Sequence, residues 1–198
     1  WRLRYRDRGL SWSDWSEPAS FRTGGAALGD NLLLNPGAEE GTIYWTPSEG
    51  FIESLAEGEC SGIAPHSGER YFALGALCKE AAYAEASQDV DLNEYAEAIA
   101  DDRVTLHFSG WLADYSGDDR PEVEAILLDE EGTALGSLGP FTDTSTEWTE
   151  HSGSLVLPGA TRSVRVALRG TRNAGSDNDS YIDDLSLRLG IGPEDVPG

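Results

Sequence analysis

Short segments in which apolar and polar residues alternate recur along most of the chain, and this period of two predicts β-strands. The predicted strands cover 31–35, 50–55, 70–75, 84–91, 104–115, 122–129, 133–138, 147–151, 154–157, 162–170 and 180–189. The Glu-Glu-Gly-Thr sequence at 130–133 predicts a hairpin turn, and 93–100 is the stretch expected to form a helical turn or two. The pattern therefore predicts an all-β domain with antiparallel sheets.

The first 23 residues have the strictest alternation. One face is apolar and the other basic, with Trp1, Leu3 and Tyr5 opposite Arg2, Arg4 and Arg6. Trp12 and Trp15 can stack between the arginines, which contributes roughly 0.5–1 kcal/mol per contact. The segment 1–23, with Trp-Ser-Asp-Trp-Ser at 12–16, resembles the C-terminal hairpin of a fibronectin type III domain of the cytokine-receptor kind. A lone hairpin is marginally stable in water, so its apolar face is expected to pack against another surface.

The composition is that of a globular protein with a strongly acidic surface. Hydrophobic residues make up 39% of the chain, and 14 basic against 36 acidic residues give a net charge of −22. Such a surface repels nucleic acid and anionic membranes, and no apolar run approaches the roughly 18 residues that a membrane span needs. Two interpretations of the charge remain open. It keeps an extracellular or salt-adapted protein soluble, or part of it collects divalent cations.

Cys60 and Cys78 are the only cysteines, and each lies at the end of a probable β element. A disulfide between them is expected, with a stabilisation of roughly 3 kcal/mol from loop closure. A disulfide is typical of an extracellular protein. The alternative is a pair of buried free thiols. No Cys-x-x-Cys motif or histidine partner supports a zinc site.

No catalytic motif stands out. The sequence has no nucleophile elbow, phosphate loop, dinucleotide-binding glycine motif or His-Glu-x-x-His zinc motif. His66, His107 and His151 lie on separate elements without ligand spacing. A glycosidase needs only two nearby carboxylates, but among 36 acidic residues chance pairs are inevitable. We therefore expect a protein that is not an enzyme.

The stretch 104–115 places aromatic residues where a sandwich strand normally shows polar ones. Alternation directs Val104 and its period-two partners to the core, so His107, Trp111 and Tyr115 share the opposite face. A flat Trp–Tyr surface suits a sugar ring, which stacks its C–H face while its hydroxyls bind polar groups at the rim. The predicted ligand-binding residues are Trp111, Tyr115, His107, Asp114, Arg120 and Arg172. Alternatively, this patch packs against the N-terminal hairpin or is covered by a loop.

Two distant segments resemble the ends of one known type of domain. Asn-Leu-Leu-Leu-Asn-Pro-Gly-Ala-Glu-Glu stands at 31–40, and Ser-Tyr-Ile-Asp-Asp-Leu-Ser-Leu at 180–187. Together they resemble the first and last strands of galactose-binding-like jelly rolls, which include carbohydrate-binding modules and sugar-recognising F-box proteins. The resemblance implies a two-sheet antiparallel jelly-roll sandwich over 31–189. The segment 24–30 is then a flexible linker from the hairpin, and 190–198 is a tail.

The resemblance also implies a structural calcium ion that joins the first and last strands. Carried over to this sequence, its ligands are Glu39 and Asp183, with Glu40 and Asp184 as further candidates. Alternation places Asp183 on the apolar face of Leu185, where a bare carboxylate is costly. The alternative is that backbone donors or an arginine satisfy Asp183. Trp45 matches a tryptophan that is usually buried in such domains, so it is assigned to the core.

The leading hypothesis is a non-catalytic carbohydrate-binding accessory module of a secreted multidomain protein, with a structural calcium ion. Its partners are then an oligosaccharide or glycan and the other domains of the same parent protein. The alternative is a structural or adhesive spacer that is attached to a neighbouring enzyme and binds no sugar.

Overall fold

The structure, a computed structural model, describes residues 28–75 and 77–192 together with Arg4 and Ser13. The predicted hairpin therefore lies almost entirely outside the described residues. The same holds for most of the 24–30 linker and for the end of the 190–198 tail.

Ten strands form two five-stranded antiparallel sheets in the described part of the chain. The strands are β1 (Thr46–Glu49), β2 (Ile52–Leu55), β3 (Tyr71–Leu74), β4 (Tyr83–Asp91), β5 (Val104–Ala113), β6 (Arg120–Leu128), β7 (Ala134–Thr142), β8 (Thr149–Val156), β9 (Ser163–Thr171) and β10 (Ser180–Ile191). Sheet I has the order β1-β4-β9-β6-β7, and sheet II has the order β2-β3-β10-β5-β8. The predicted two-sheet all-β fold is confirmed.

Alternation along each central strand builds the core between the sheets. Leu106 and Phe108 of β5 are buried, whereas His107 and Ser109, which alternate with them, are only partly buried and face outward. Burial of one large apolar side chain contributes about 1.5–3 kcal/mol. Trp45 joins this core with 4% of its surface exposed, and its Nε1 donates a hydrogen bond to the Asn35 carbonyl (3.1 Å). The assignment of Trp45 to the core is confirmed.

The short helical elements also agree with the sequence pattern. The predicted helical turn at 93–100 is confirmed as a 3₁₀ turn, Asn93–Tyr95, that leads into the α-helix α1, Ala96–Ala100. A second 3₁₀ turn covers Glu59–Ser61. Among the described residues, no helix is long and apolar enough to cross a bilayer.

Three strand predictions differ from the structure. The segment 31–35 is not a strand of either sheet, because the Asn31 side chain takes the place of ladder bonds. It donates to the Leu185 carbonyl and accepts from the Leu187 N–H, both at 2.9 Å. Strand β1 was not predicted, since its Thr-Pro-Ser-Glu sequence is exposed throughout. The two segments predicted at 147–151 and 154–157 form the single strand β8.

A β-bulge in β10 corrects the predicted orientation of Asp183. Asp183 pairs with Trp111 and Ser186 pairs with Ser109, so two residues of β10 oppose Gly110 alone. Such an insertion reverses the side-chain alternation beyond it. Leu185 faces the core, where it would contact a Cβ at Gly110, but Asp183 lies on the outer face of sheet II beside Trp111. The prediction that Asp183 shares the face of Leu185 is therefore wrong.

A second, smaller apolar cluster covers part of the outer face of sheet II. It contains Leu55, Tyr71, Ala73, Ala113 and Tyr181, with Ile63, Leu77 and Trp148 packed against it. The predicted disulfide between Cys60 and Cys78 is present, with the two Cα atoms 5.4 Å apart. It ties together the two segments that supply Ile63 and Leu77 to this cluster.

Candidate functional site

The outer face of sheet I carries an ordered array of polar and charged side chains. Strands β4, β9 and β6 are neighbours in this sheet, and their outward residues align in rows across it. Successive rows are Tyr83–Thr171–Arg120, Glu85–Arg169–Glu122, Ser87–Ala167–Glu124 and Asp89–Arg165–Ile126. We call this surface the sheet I face.

Arg169 holds the centre of the sheet I face together. Its Nε donates to Glu85 Oε2 (2.7 Å), and its guanidinium Nη1 donates to both Glu122 Oε1 and Glu124 Oε2 (2.8 Å each). The side chain of Arg169 is only 19% exposed. Arg120 forms a further ion pair with Glu122. Three carboxylates, one from β4 and two from β6, are thereby fixed around one cation on β9.

Tyr83 extends this network with an aromatic ring. Its hydroxyl donates to Glu85 Oε2 (3.0 Å), and Ser48 Oγ donates to Glu85 Oε1 (3.0 Å). Burial, followed by the hydrogen bond to Glu85, raises the pKa of Tyr83 to about 12. Burial acts to raise the pKa of Glu85, but the hydrogen bonds from Arg169, Ser48 and Tyr83 lower it overall. At neutral pH the phenol is therefore a donor and the carboxylate is ionised.

A groove opens farther along the sheet I face. Its volume is about 550 Å³, and its lining includes Tyr44, Thr46, Ser87, Asp89 and Arg165. Arg165 forms a bidentate ion pair with Asp89, with nitrogen–oxygen distances of 2.7 and 2.8 Å. The Arg165 hydrogen bond lowers the pKa of Asp89. The groove therefore combines an exposed tyrosine with hydrogen-bonding groups whose positions are fixed.

Trp111 lies on the other side of the sandwich, on the outer face of sheet II. The His66 ring stacks on it, with a centroid distance of 3.6 Å and an angle of 16°. Trp148 contacts His66 edge-on and donates from its Nε1 to the Ala64 carbonyl (2.9 Å). One face of the Trp111 ring is thus covered by His66, a loop residue. This agrees with the alternative that a loop covers the aromatic patch.

The other predicted ligand residues are distributed over several surfaces. His107 shares the outer face of sheet II with Trp111, and Tyr115 follows β5 with 61% of its surface exposed. Arg120 lies on the sheet I face. The Arg172 guanidinium donates a hydrogen bond to the Ser176 carbonyl in the loop before β10. Asp114 is fully buried. The structure does not gather these side chains around Trp111.

The two terminal motifs do meet, as the sequence predicts. The Leu185 N–H donates to the Pro36 carbonyl (3.1 Å), and a Cβ on Gly37 would lie 3.4 Å from Asp183 Oδ1 and 3.5 Å from Asp184 Oδ1. The Asp183 carboxylate also accepts from the His66 and Ser67 N–H groups (2.9 and 3.3 Å). The His66 ring Nδ1 lies 2.6 Å from Asp184 Oδ2.

The glutamates of the first motif point to the same loop or to solvent. Glu39 Oε1 accepts from the Glu69 and Arg70 N–H groups (2.9 and 3.1 Å), and Glu40 is exposed. Burial raises the pKa of Asp183 to about 7, although its backbone hydrogen bonds act in the opposite direction. Backbone donors of the 66–70 loop therefore occupy one carboxylate oxygen of each residue, Glu39 Oε1 and Asp183 Oδ2.

A different group of carboxylates could hold a metal ion. One side-chain oxygen from each of Asp114, Asp119 and Asp179 lies within 4.8 Å of the others. The sequence does not reveal this group, because its members are separated by up to 65 residues. The sheet I face was missed for a similar reason. The alternation in Tyr-Ala-Glu at 83–85 and Glu-Val-Glu at 122–124 marks outward residues, but strand order alone brings them together.

No protein-family model matches the sequence, and no curated protein matches it. Among solved structures, a family 16 carbohydrate-binding module is 21% identical with a TM-score of 0.55, covering 79% of this chain and 99% of the module. TmCBM61, solved with β-1,4-galactotriose, is 18% identical with a TM-score of 0.53, covering 80% of this chain and 98% of that protein. Family 22 carbohydrate-binding modules are also similar.

Some of the similar structures are described as enzymes. A cyclase from Fischerella sp. TAU is 10% identical with a TM-score of 0.56, covering 85% of this chain and 100% of the cyclase. At these identities the likeness establishes the fold alone, which is the two-sheet antiparallel jelly-roll sandwich expected from the terminal motifs. Because this fold carries more than one function, the function must be argued from the site.

Proposed function

We propose that the protein is a non-catalytic carbohydrate-binding accessory module of a secreted multidomain protein. The sheet I face carries this proposal, because it places the Tyr83 ring beside hydrogen-bonding groups that Arg169 fixes in position. A sugar needs an apolar ring face for its C–H surface and fixed donors and acceptors for its hydroxyls. The similarity to carbohydrate-binding modules, one of them solved with a galactan oligosaccharide, supports the same class of ligand.

The carboxylates of the sheet I face favour binding over catalysis. Glu85, Glu122 and Glu124 all accept hydrogen bonds from Arg169. Against the effect of burial, hydrogen bonds lower the pKa of Glu85, so this carboxylate is ionised at neutral pH. A glycosidase needs one carboxyl group that stays protonated to act as the general acid. Ionised carboxylates are instead good acceptors for sugar hydroxyls.

Secretion and a structural calcium ion complete the proposal. The Cys60–Cys78 disulfide supports an extracellular location, since such bonds persist in oxidising compartments. We place the calcium where the Pro36–Gly37 turn meets Asp183 and Asp184, with Glu39 and Glu40 as the other candidate ligands. The fibronectin-type hairpin is proposed as the connection to the preceding domain of the parent protein.

Binding to immobilised glycans tests the sugar-binding face. The probes are a glycan array and affinity gels that contain β-1,4-galactan or xylan. Tyr83→Ala is expected to weaken binding at least tenfold, whereas Tyr83→Phe keeps the stacking ring and most of the affinity. Trp111→Ala removes an aromatic side chain from the other sheet and is the matched control.

The outcomes separate the candidate sites and functions. Loss of binding in Trp111→Ala with full binding in Tyr83→Ala moves the site to the aromatic patch predicted at Trp111, Tyr115 and His107. Absence of binding to every glycan favours the alternative, a structural or adhesive spacer attached to a neighbouring enzyme. Thermal unfolding of each variant verifies that the fold is intact.

A further inference from the structure

Three aspartates meet where three strands begin or end. Asp114 follows the last residue of β5, Asp119 precedes the first residue of β6, and Asp179 precedes the first residue of β10. One carboxylate oxygen of each lies within 4.8 Å of the others. We call this group the aspartate cluster. It shares no residue with the calcium site proposed at Asp183 and Asp184.

Backbone donors occupy three of the six carboxylate oxygens in the aspartate cluster. Asp114 Oδ2 accepts from the N–H groups of Gly117, Asp118 and Asp119. Asp119 accepts from the N–H groups of Asn173 (2.7 Å), Ala174 (3.2 Å) and Asp179 (2.9 Å). These bonds tie the 114–119 loop and the 172–179 loop to the same point.

One buried oxygen of the aspartate cluster is left without a partner. Asp114 is completely buried, and its Oδ1 has no hydrogen-bond partner among the described residues. A buried carboxylate oxygen without a donor or a cation is costly. Its other oxygen already accepts three N–H groups, so Oδ1 is the atom that Asp114 can offer to a ligand.

The charges of the aspartate cluster are also uncompensated. Asp119 is only 2% exposed, and none of the ion pairs found within 28–75 and 77–192 involves a member of the cluster. Three carboxylates this close in a buried setting favour a bound cation.

We propose that the aspartate cluster binds a calcium ion. The donor set consists of carboxylate oxygens without histidine or thiolate, which suits a hard cation. Calcium accepts six to eight oxygens in flexible geometry, so backbone carbonyls and water can complete the shell around the three aspartates. The bound ion joins the end of β5 to the starts of β6 and β10. It thereby fixes the two loops that leave the strands at this edge.

Isothermal titration of metal-free protein with calcium alone tests the site. Asp114→Asn and Asp179→Asn each preserve the side-chain shape but remove one negative charge from the aspartate cluster. Both are expected to lose one calcium-binding event. Asp177→Asn is the matched control, because this exposed residue lies in the same loop, outside the cluster. It is expected to bind calcium with the wild-type stoichiometry and within about threefold of the wild-type affinity.

Thermal unfolding gives a second readout, in which Asp179→Asn has opposite effects on stability in chelator and in calcium. In chelator, Asp179→Asn is expected to melt at a higher temperature than the wild type, because it relieves repulsion among the carboxylates. In calcium, it is expected to gain less stability than the wild type or Asp177→Asn. Calcium responses in Asp114→Asn and Asp179→Asn that equal the wild-type response overturn the proposal. So does a wild-type protein that binds no calcium.

Discussion

At the scale of single residues, the bulge in β10 decides what the Asp183 carboxylate can do. Strict alternation would direct it into the apolar core beside Leu185. Because two residues of β10 oppose Gly110, the side chain lies on the outer face and accepts N–H groups from the loop that contains His66. The residue remains completely buried, so its ionised form is still disfavoured.

This environment predicts a pH-dependent stability. The folded-state pKa of Asp183, about 7, lies above the ordinary value of 3.8, so the folded protein binds the extra proton between these values. The stabilisation that comes from this proton on Asp183 is therefore fully present below about pH 4, and it is lost as the pH rises through about 7. In chelator, urea unfolding should show the wild type losing stability relative to Asp183→Asn between pH 4.5 and 7.5. Parallel pH profiles of the two proteins would contradict this assignment.

At the scale of elements, a glycine in β9 allows the two sheets to come close together. Gly170 of β9 faces β3 and β10 of the opposite sheet. A Cβ on Gly170 would lie 2.4 Å from the Leu74 carbonyl oxygen, 2.7 Å from Leu74 Cβ and 2.8 Å from Ser180 Cβ. The opposing atoms belong to backbone or to short side chains, so the sheets themselves would have to move apart.

Gly170→Ala is therefore expected to destabilise the protein by about 1–3 kcal/mol, the usual cost of overpacking a core. The measurement is the free energy of unfolding in urea. Gly159→Ala is the matched control, because the nearest atom to its new Cβ is 3.5 Å away, an ordinary contact. Its effect should stay within about 0.5 kcal/mol. Equal effects of the two substitutions would show that the sheets can separate at little cost.

At the scale of the whole molecule, the net charge of −22 affects any experiment with divalent ions. Every cation screens such a surface to some extent, so a gain in stability with calcium does not by itself identify a site. Magnesium separates the two effects. It demands near-octahedral geometry and keeps its water, whereas a seven-oxygen site prefers calcium.

Addition of a chelator to protein that was purified with its metal is expected to lower the melting temperature by several degrees. The β-sheet circular dichroism spectrum should persist. When calcium is present at a hundredfold excess over the dissociation constant of a site, its binding contributes about 2.7 kcal/mol to the stability of the folded protein. Asp183→Ala should remove the part of the calcium response that comes from the terminal motifs, and its combination with Asp179→Asn should remove the rest. Identical changes in melting temperature with calcium and with magnesium would show that the calcium responses of both sites arise from screening of the surface charge.

The sequence by itself determined the features that depend on local periodicity and on motifs. Alternation with a period of two identified the strands and separated core from surface, as in β5. The terminal motifs indicated the jelly roll, and the positions of Cys60 and Cys78 at the ends of probable β elements indicated their disulfide. These features follow from neighbouring residues, because a side chain's face is set by its position along the strand.

Only the tertiary structure decided which distant residues share a surface. Strand order brings Glu85, Arg169 and Glu122 into one row, although they lie far apart in the chain. Loop closure collects Asp114, Asp119 and Asp179, and one bulge turns Asp183 outward. Register and bulges are set by pairing across the whole sheet, and the pattern within a single strand does not specify its partners.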